Sequence, residues 1–331
     1  MRFVRPALCC LALALALGGC ARPTPSAAPA AGGLRRIVLQ SDWFPQAEHG
    51  GFYQALAKGY YREAGLDVEI LPGGPGATIK LSVAKGVADF GLYRSDDAIV
   101  AASRGLPLLI VAAVLQHDPE GLLVHDASPV RTLRDLDGRS VIAPPSMTWI
   151  PYVQQKYGIK FDLRPLNYGL AVFLGDPTTI QQCMLTSEPF FARQHGARVR
   201  VVRLADSGYD PYHVLMCRRE LARTSPAAVR AFVAASLRGW RDYLEGDPAP
   251  AFALIRQRNR QMSLEQLRFS RGELIANALV TGEASRGEAI GQLSLERIQR
   301  QIDALTEFKI VEQPVSAAAV ATRAFLPDAL R

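Results

Sequence analysis

The chain has 331 residues, 49% of them hydrophobic, with a formal charge of +7 and five cysteines. Only six of the 38 basic residues are lysines and no basic run exceeds two, so the charge is scattered and nucleic-acid binding has no local footprint. Roughly 300 residues of this composition suffice for two globular lobes.

Residues 1–19 read as an export signal: Arg2 and Arg5 form a basic start, 7–17 is an apolar run too short to span a bilayer, and small residues precede Cys20. Leu17, Gly18, Gly19 and Cys20 resemble the lipobox of bacterial lipoproteins, which implies cleavage before Cys20 and a diacylglycerol on its sulfur. The other reading is an ordinary signal peptide with an incidental cysteine. Several acyl chains on one residue would supply the second lipid signal that stable anchoring takes. Residues 20–34, rich in Ala, Pro, Ser and Gly, cannot bury enough apolar surface to offset their ordering entropy and read as a disordered tether. Cys183 and Cys217 then remain, as a disulfide or as two inert buried thiols.

The next stretch reads strand (37–40), polar loop, helix, strand (66–71), with Phe52, Leu56 and Tyr60 spaced by four along the helix and Gly65 ending it. Beyond a Gly-rich turn come a helix over 77–85, a strand over 90–92, a helix over 96–104 and a strand over 108–114. This alternation predicts an α/β fold with a mostly parallel sheet. A polar turn at 116–120 leads to a strand over 121–124. A second alternation follows: strand 141–143, helix 150–157, strand 162–166, helix 179–186, then helix and strand to 204. A strand over 214–217 carries the chain back. From 225 onward the sequence is helical, with start signals at Ser225–Pro226, Asp247–Pro248 and Ser263 with Gln266. These readings divide the chain into one lobe of residues 35–118 and 214–331 and another of 119–213.

No enzyme motif is present: G-x-S-x-G, H-E-x-x-H, a complete P-loop and C-x-x-C are all missing. The Gly-rich loop at 72–80 reads as a turn, although backbone N–H groups near Gly76 and Ala77 are placed to help hold an anion. None of the five histidines is at metal-ligand spacing.

Asp42, Trp43 and Pro45, then His49, Gly51 and Tyr53, then Gly59, Tyr60, Tyr61, Gly65, Leu66 and Val68 match the pattern D-W-x-P, H-x-G-x-Y, G-Y-F/Y-x-x-x-G-L-x-V. In this the chain resembles the substrate-binding proteins of ABC importers for thiamine-type pyrimidines, sulfonates and nitrate. A segment with Leu133, Asp135, Leu136 and Gly138 is similar to the one that opens that family's second lobe. The resemblance covers roughly residues 36–240. It implies a two-lobe periplasmic binding protein fold of type II, with two crossover strands as hinge and C-terminal helices on the first lobe. It also implies capture by hinge closure, no catalysis and no cofactor or metal. The partners implied are a small-molecule ligand, an ABC permease and ATPase, and the membrane through Cys20; the protein is expected as a monomer in the cell envelope, outside the cytoplasm. Cytosolic pyrimidine synthases of thiamine biosynthesis share the first segment. They carry a cysteine-rich iron motif where this chain has only Cys183.

Ligands of such folds sit beyond the carboxyl ends of the strands, which places the candidate contacts in loops. Asp42, Trp43 and His49 occupy the first: Trp43 is a stacking surface or folds under the sheet as core, His49 meets the ligand or packs against the helix start, and Tyr53 contributes its hydroxyl or packs. Tyr93, Arg94 and Ser95 follow the third strand, and Arg94 either grips an anion bidentately or is solvated. Ser146, Thr148 and Trp149 hold the mirror position in the second lobe, where Ser146 or Thr148 would also serve as an N-cap. Glu188, beside Pro189 and Phe190, needs a partner: a ligand N–H or Arg193. It resembles the acid that meets the ring's amino side in pyrimidine-binding members. Tyr209, Asp210 and Tyr212 precede the return strand. Aromatics with acids suit a flat, nitrogen-rich ligand better than a bare oxyanion.

Overall fold

The computed structural model describes residues 33–311 and 313–331. Cys20, the signal segment and most of the tether expectation lie outside them. Among the described residues no helix is long and apolar enough to cross a membrane.

Among the described residues ten strands form two five-stranded sheets. The first holds β1 (Arg35–Gln40), β2 (Leu66–Leu71), β3 (Phe90–Arg94), β4 (Leu108–Leu115) and β10 (His213–Arg218), in the order β2-β1-β3-β10-β4. The second holds β5 (Glu120–His125), β6 (Ser140–Ile142), β7 (Asp162–Arg164), β8 (Ile180–Met184) and β9 (Val199–Arg203), in the order β7-β6-β8-β5-β9. In each sheet one strand runs against both neighbours: β10 in the first and β5 in the second. These are the strands that follow the two chain crossings between the sheets. Each sheet is therefore mixed, with four strands pointing one way, and their carboxyl ends set the position of the loops discussed below.

Several expectations change. The expected helix over 179–186 is instead strand β8, Ile180–Met184. Ile180, Cys183 and Met184 are spaced by three and four, which imitates a helical stripe, but β8 lies between β6 and β5 and the ladder decides. The first helix breaks at Gly59, whose φ of 77° only glycine adopts readily, giving Gly50–Ala57 and Tyr60–Glu63. Tyr93 and Arg94 belong to β3 itself, paired with Val214 and His213 of β10. Ser225 stands at the start of the helix Pro226–Glu245 but makes no capping bond; its hydroxyl accepts from Arg35 Nη2 at 2.8 Å. Ser263 does cap, accepting from the backbone N–H of Gln266 at 3.0 Å. Cys183 and Cys217 are free buried thiols, one on each sheet.

Helix Pro226–Glu245 packs across Gly50–Ala57 at glycines. A side-chain carbon on Gly50 or Gly51 would come closer than 3.0 Å to the rings of Tyr243 or Trp240, and one on Gly239 closer than that to the Gly51 carbonyl. The close crossing fixes the amino end of the first helix, and with it the loop after β1.

Candidate functional site

The loop after β1 is held by backbone. Gly73 donates its N–H to Trp43 O at 2.9 Å, and Ser41 Oγ donates to the same carbonyl at 2.7 Å. The two chains run so close that a side-chain carbon on Gly73 would overlap the backbone of Ser41 and Asp42. Asp42 Oδ1 meets His49 Nε2 at 2.8 Å. Burial works to raise the Asp42 carboxyl, but the bond from His49 and the charges of His49 and His213 hold it below the usual range. His49 is 3% exposed, and its Nδ1 is buried without a partner. The imidazole is thus a bracket for Asp42, with one nitrogen unused.

Trp43 is half-buried, and its ring lies 5.2 Å from that of Tyr168, which comes from the loop after β7 in the other sheet. Tyr168 is 54% exposed and has a φ of 59°, a conformation that costs a non-glycine residue. Near them Glu48, on the first sheet's side, accepts a bond from the Thr186 hydroxyl on the second, and Ser270 Oγ donates to Thr186 O at 2.7 Å. Glu188 does not pair with Arg193, whose guanidinium lies over the Phe269 ring at 5.9 Å. It accepts from the backbone N–H of Met184 at 2.7 Å. Burial pushes its carboxyl up to about 7, and the charge of Glu48 adds to the rise against the lowering effect of backbone bonds. Burial raises Glu48 as well.

Arg94 neither floats in solvent nor waits for an anion. It is buried at the end of β3, 3.3 Å from Asp96, 3.2 Å from Asp118, and ion-paired to Glu120. Burial opposes its charge, but Asp118 and Asp96 raise it well above its ordinary value. The Tyr209 hydroxyl donates to Asp96. Ser95 Oγ donates to Gln301 at 2.7 Å and accepts from the Tyr212 N–H at 3.0 Å. Asp210 accepts from the Asp118 N–H at 2.8 Å, meets His117 at 2.8 Å and Arg297 at 3.0 Å, while Arg297 also covers the Tyr212 ring at 4.0 Å. Arg94, Ser95, Tyr209, Asp210 and Tyr212 therefore bind the two chain crossings to the first sheet and to the C-terminal helices.

The structure thus gathers the candidates into two groups. Asp42, Trp43, His49 and Glu188 stand at the facing loops. The Arg94 group stands at the crossings, close enough for the charge of His213 to act on Asp42. Tyr53 and Trp149 join neither: both are wholly buried, Trp149 stacked on Phe161 at 6.0 Å, so their expected ligand-facing role gives way to packing. Ser146 is exposed, and Thr148, at the head of the helix Trp149–Tyr157, makes no capping bond. In the Gly-rich loop the Ala77 N–H is taken by Gly74 O at 3.0 Å rather than offered to an anion. Glu48, Asp118, Glu120 and Tyr168 went unselected in the sequence. Glu120 was the one with a signal, an acid opening an otherwise apolar strand.

The sequence model described as NMT1/THI5 like matches residues 46–251, more than half of the chain. A riboflavin-binding protein, RibY, of Chloroflexus aurantiacus is 26% identical over 278 residues, covering 77% of this chain and 78% of that one. A formylaminopyrimidine-binding protein of Halalkalibacterium halodurans is 24% identical over 295 residues, covering 86% and 88%. A 4-amino-5-hydroxymethyl-2-methylpyrimidine phosphate synthase of Saccharomyces cerevisiae is 26% identical over 237 residues, covering 66% and 69%. Among solved structures, the periplasmic aliphatic sulphonate binding protein SsuA of Escherichia coli superposes with a TM-score of 0.65 at 16% identity, covering 86% of this chain and 91% of that one. The superposition gives the chain the periplasmic binding protein fold, and the match over more than half of its length places it in the NMT1/THI5-like family.

Proposed function

We propose that the chain is the ligand-capturing component of an ABC importer, lipid-anchored through Cys20 outside the cytoplasm. It closes lobe 119–213 against lobe 35–118 plus 214–331 around a flat, nitrogen-rich heteroaromatic nutrient of the pyrimidine kind. The observation that carries the ligand class is the charge balance. Asp42, Glu48 and Glu188 stand at the facing loops, and Arg94, the cation that would otherwise receive an oxyanion, is already matched by Asp96, Asp118 and Glu120. A sulfonate or nitrate entering there would meet more carboxylates than free cations. Ring N–H and amino groups would meet acceptors, with charge-assisted bonds worth roughly 1.5–3 kcal/mol each. The riboflavin-binding and formylaminopyrimidine-binding relatives bind ligands of this shape by name.

The likeness to the yeast synthase supports a second reading, a pyrimidine-forming enzyme. The export-type start of the sequence weighs against it. So does Cys183, a single thiol that burial on β8 holds in its neutral form.

In this account the ligand ring takes the place of Tyr168 against Trp43, because the present 5.2 Å between those rings leaves no space for a third between them. Formylaminopyrimidine should then change tryptophan emission, and Trp43→Ala should abolish the change and weaken binding about fivefold, the equivalent of ~1 kcal/mol. Equal affinity in the Trp43→Ala protein would remove the stacking role.

A further inference from the structure

A cavity of about 490 Å³ lies apart from the facing loops: neither Asp42, Trp43, Glu48 nor Glu188 lines it. Its walls come from the end of β9, the two chain crossings, the helix Trp149–Tyr157 and the C-terminal segment. Arg203 ends β9 and Asp206 follows it, while Arg286, Arg297 and Arg300 come from the C-terminal segment.

Four arginines line one cavity, and three of them have partners. Arg297 is held by Asp210 at 3.0 Å and Glu288 at 3.4 Å, Arg286 by Glu283 at 3.7 Å, and Arg300 by Glu296 in an exposed pair. Arg203 is different. It is half-buried, its side chain makes no hydrogen bond or ion pair with any described residue, and its Nε–H is buried without an acceptor. Buried donors are paired in the great majority of cases, and a guanidinium presents a planar fork that matches two oxygens of a carboxylate or phosphate. Asp206 would repel such a group. It is exposed, however, so solvent and salt screen it, and the other carboxylates on the walls, Asp210 and Glu283, are paired with Arg297 and Arg286.

We propose that this cavity is a second binding site, for a small oxyanion bearing a phosphate or carboxylate group, with Arg203 as its principal ligand and Arg300 and Arg286 at its rim. The site is separate from heterocycle capture and rests on no part of that reading.

Inorganic phosphate is the probe. Calorimetric titration of the purified protein at fixed ionic strength, without any heterocycle, should give saturable binding at one site. Chloride titrated in the same way should give none. Arg203→Ala should weaken phosphate at least tenfold, and Arg203→Lys, which keeps the charge and loses the fork, should fall between. Trp43→Ala should bind phosphate like the wild type. The proposal is overturned if the wild type shows no saturable phosphate heat. It is equally overturned if either Arg203 variant that melts like the native protein binds phosphate as tightly as wild type. Arg203→Lys keeps the test decisive should the alanine variant not fold.

Discussion

Among the described residues Glu188 has no cation to balance it, and this gives it a pH signature. Its carboxyl titrates near 7 in the folded chain, against about 4.3 for an exposed glutamate. A raised carboxyl pKa means that the unfolded chain releases its proton first, so the stability it contributes is whole below the unfolded value and is lost as pH rises through about 7. Gln mimics the protonated acid and can still accept from Met184, so Glu188→Gln should leave the apo melting temperature unchanged near pH 3.5, below the unfolded value, and raise it at pH 8. Melting curves across that range check the sign, and a variant less stable than wild type at pH 8 would contradict it. Ligand affinity should move the other way. The ionised carboxylate is the better acceptor for ring N–H groups, so wild-type affinity for formylaminopyrimidine should rise between pH 6 and 8. Glu188→Gln should bind about ten- to a hundredfold more weakly at the upper end and lose the pH dependence. Glu188 was legible in the sequence as an acid in apolar company. Glu48 was not, because its partner Thr186 lies 138 positions away and only the fold brings them together.

The helix Gly50–Ala57 is the element on which the first loop depends. His49 stands at its head and holds Asp42, and its glycines let it lie against Trp240 and Tyr243. Gly51→Ala would drive a methyl into the body of the Trp240 indole, which is buried and cannot swing aside, an overpacking that costs about 1–3 kcal/mol or more. Gly59→Ala meets no atom within 4 Å and pays only for its positive φ, about 1–2 kcal/mol. Gly51→Ala should therefore lower the urea midpoint at least as much as Gly59→Ala, and it alone should also weaken ligand binding, by displacing His49. Affinity unchanged in a folded Gly51→Ala protein would detach the loop from this helix. At this scale the sequence was readable wherever apolar spacing met turn residues, as at β1 to β4. It misled at β8, where apolar residues spaced by three and four imitate a helical stripe, and at Arg94, where pairing with β10 extends β3 past its apolar core.

For the whole molecule, two sheets and two crossings were legible from the alternation of elements and from one dense motif. The ionic network at the crossings was not, since it joins residues 94, 96, 118, 120, 209, 210, 288 and 297 from five separate stretches. That network supports the proposed ligand class, because it uses up Arg94, while of the facing-loop carboxylates only Asp42 has a basic partner, His49. The most direct test is one calorimetric series on the purified wild-type protein at pH 7.5, titrating formylaminopyrimidine, riboflavin, an alkanesulfonate and nitrate in turn. The account predicts saturable binding for at least one of the two heterocycles and at least a hundredfold preference for it over both anions. An alkanesulfonate or nitrate bound as tightly as either heterocycle would contradict it.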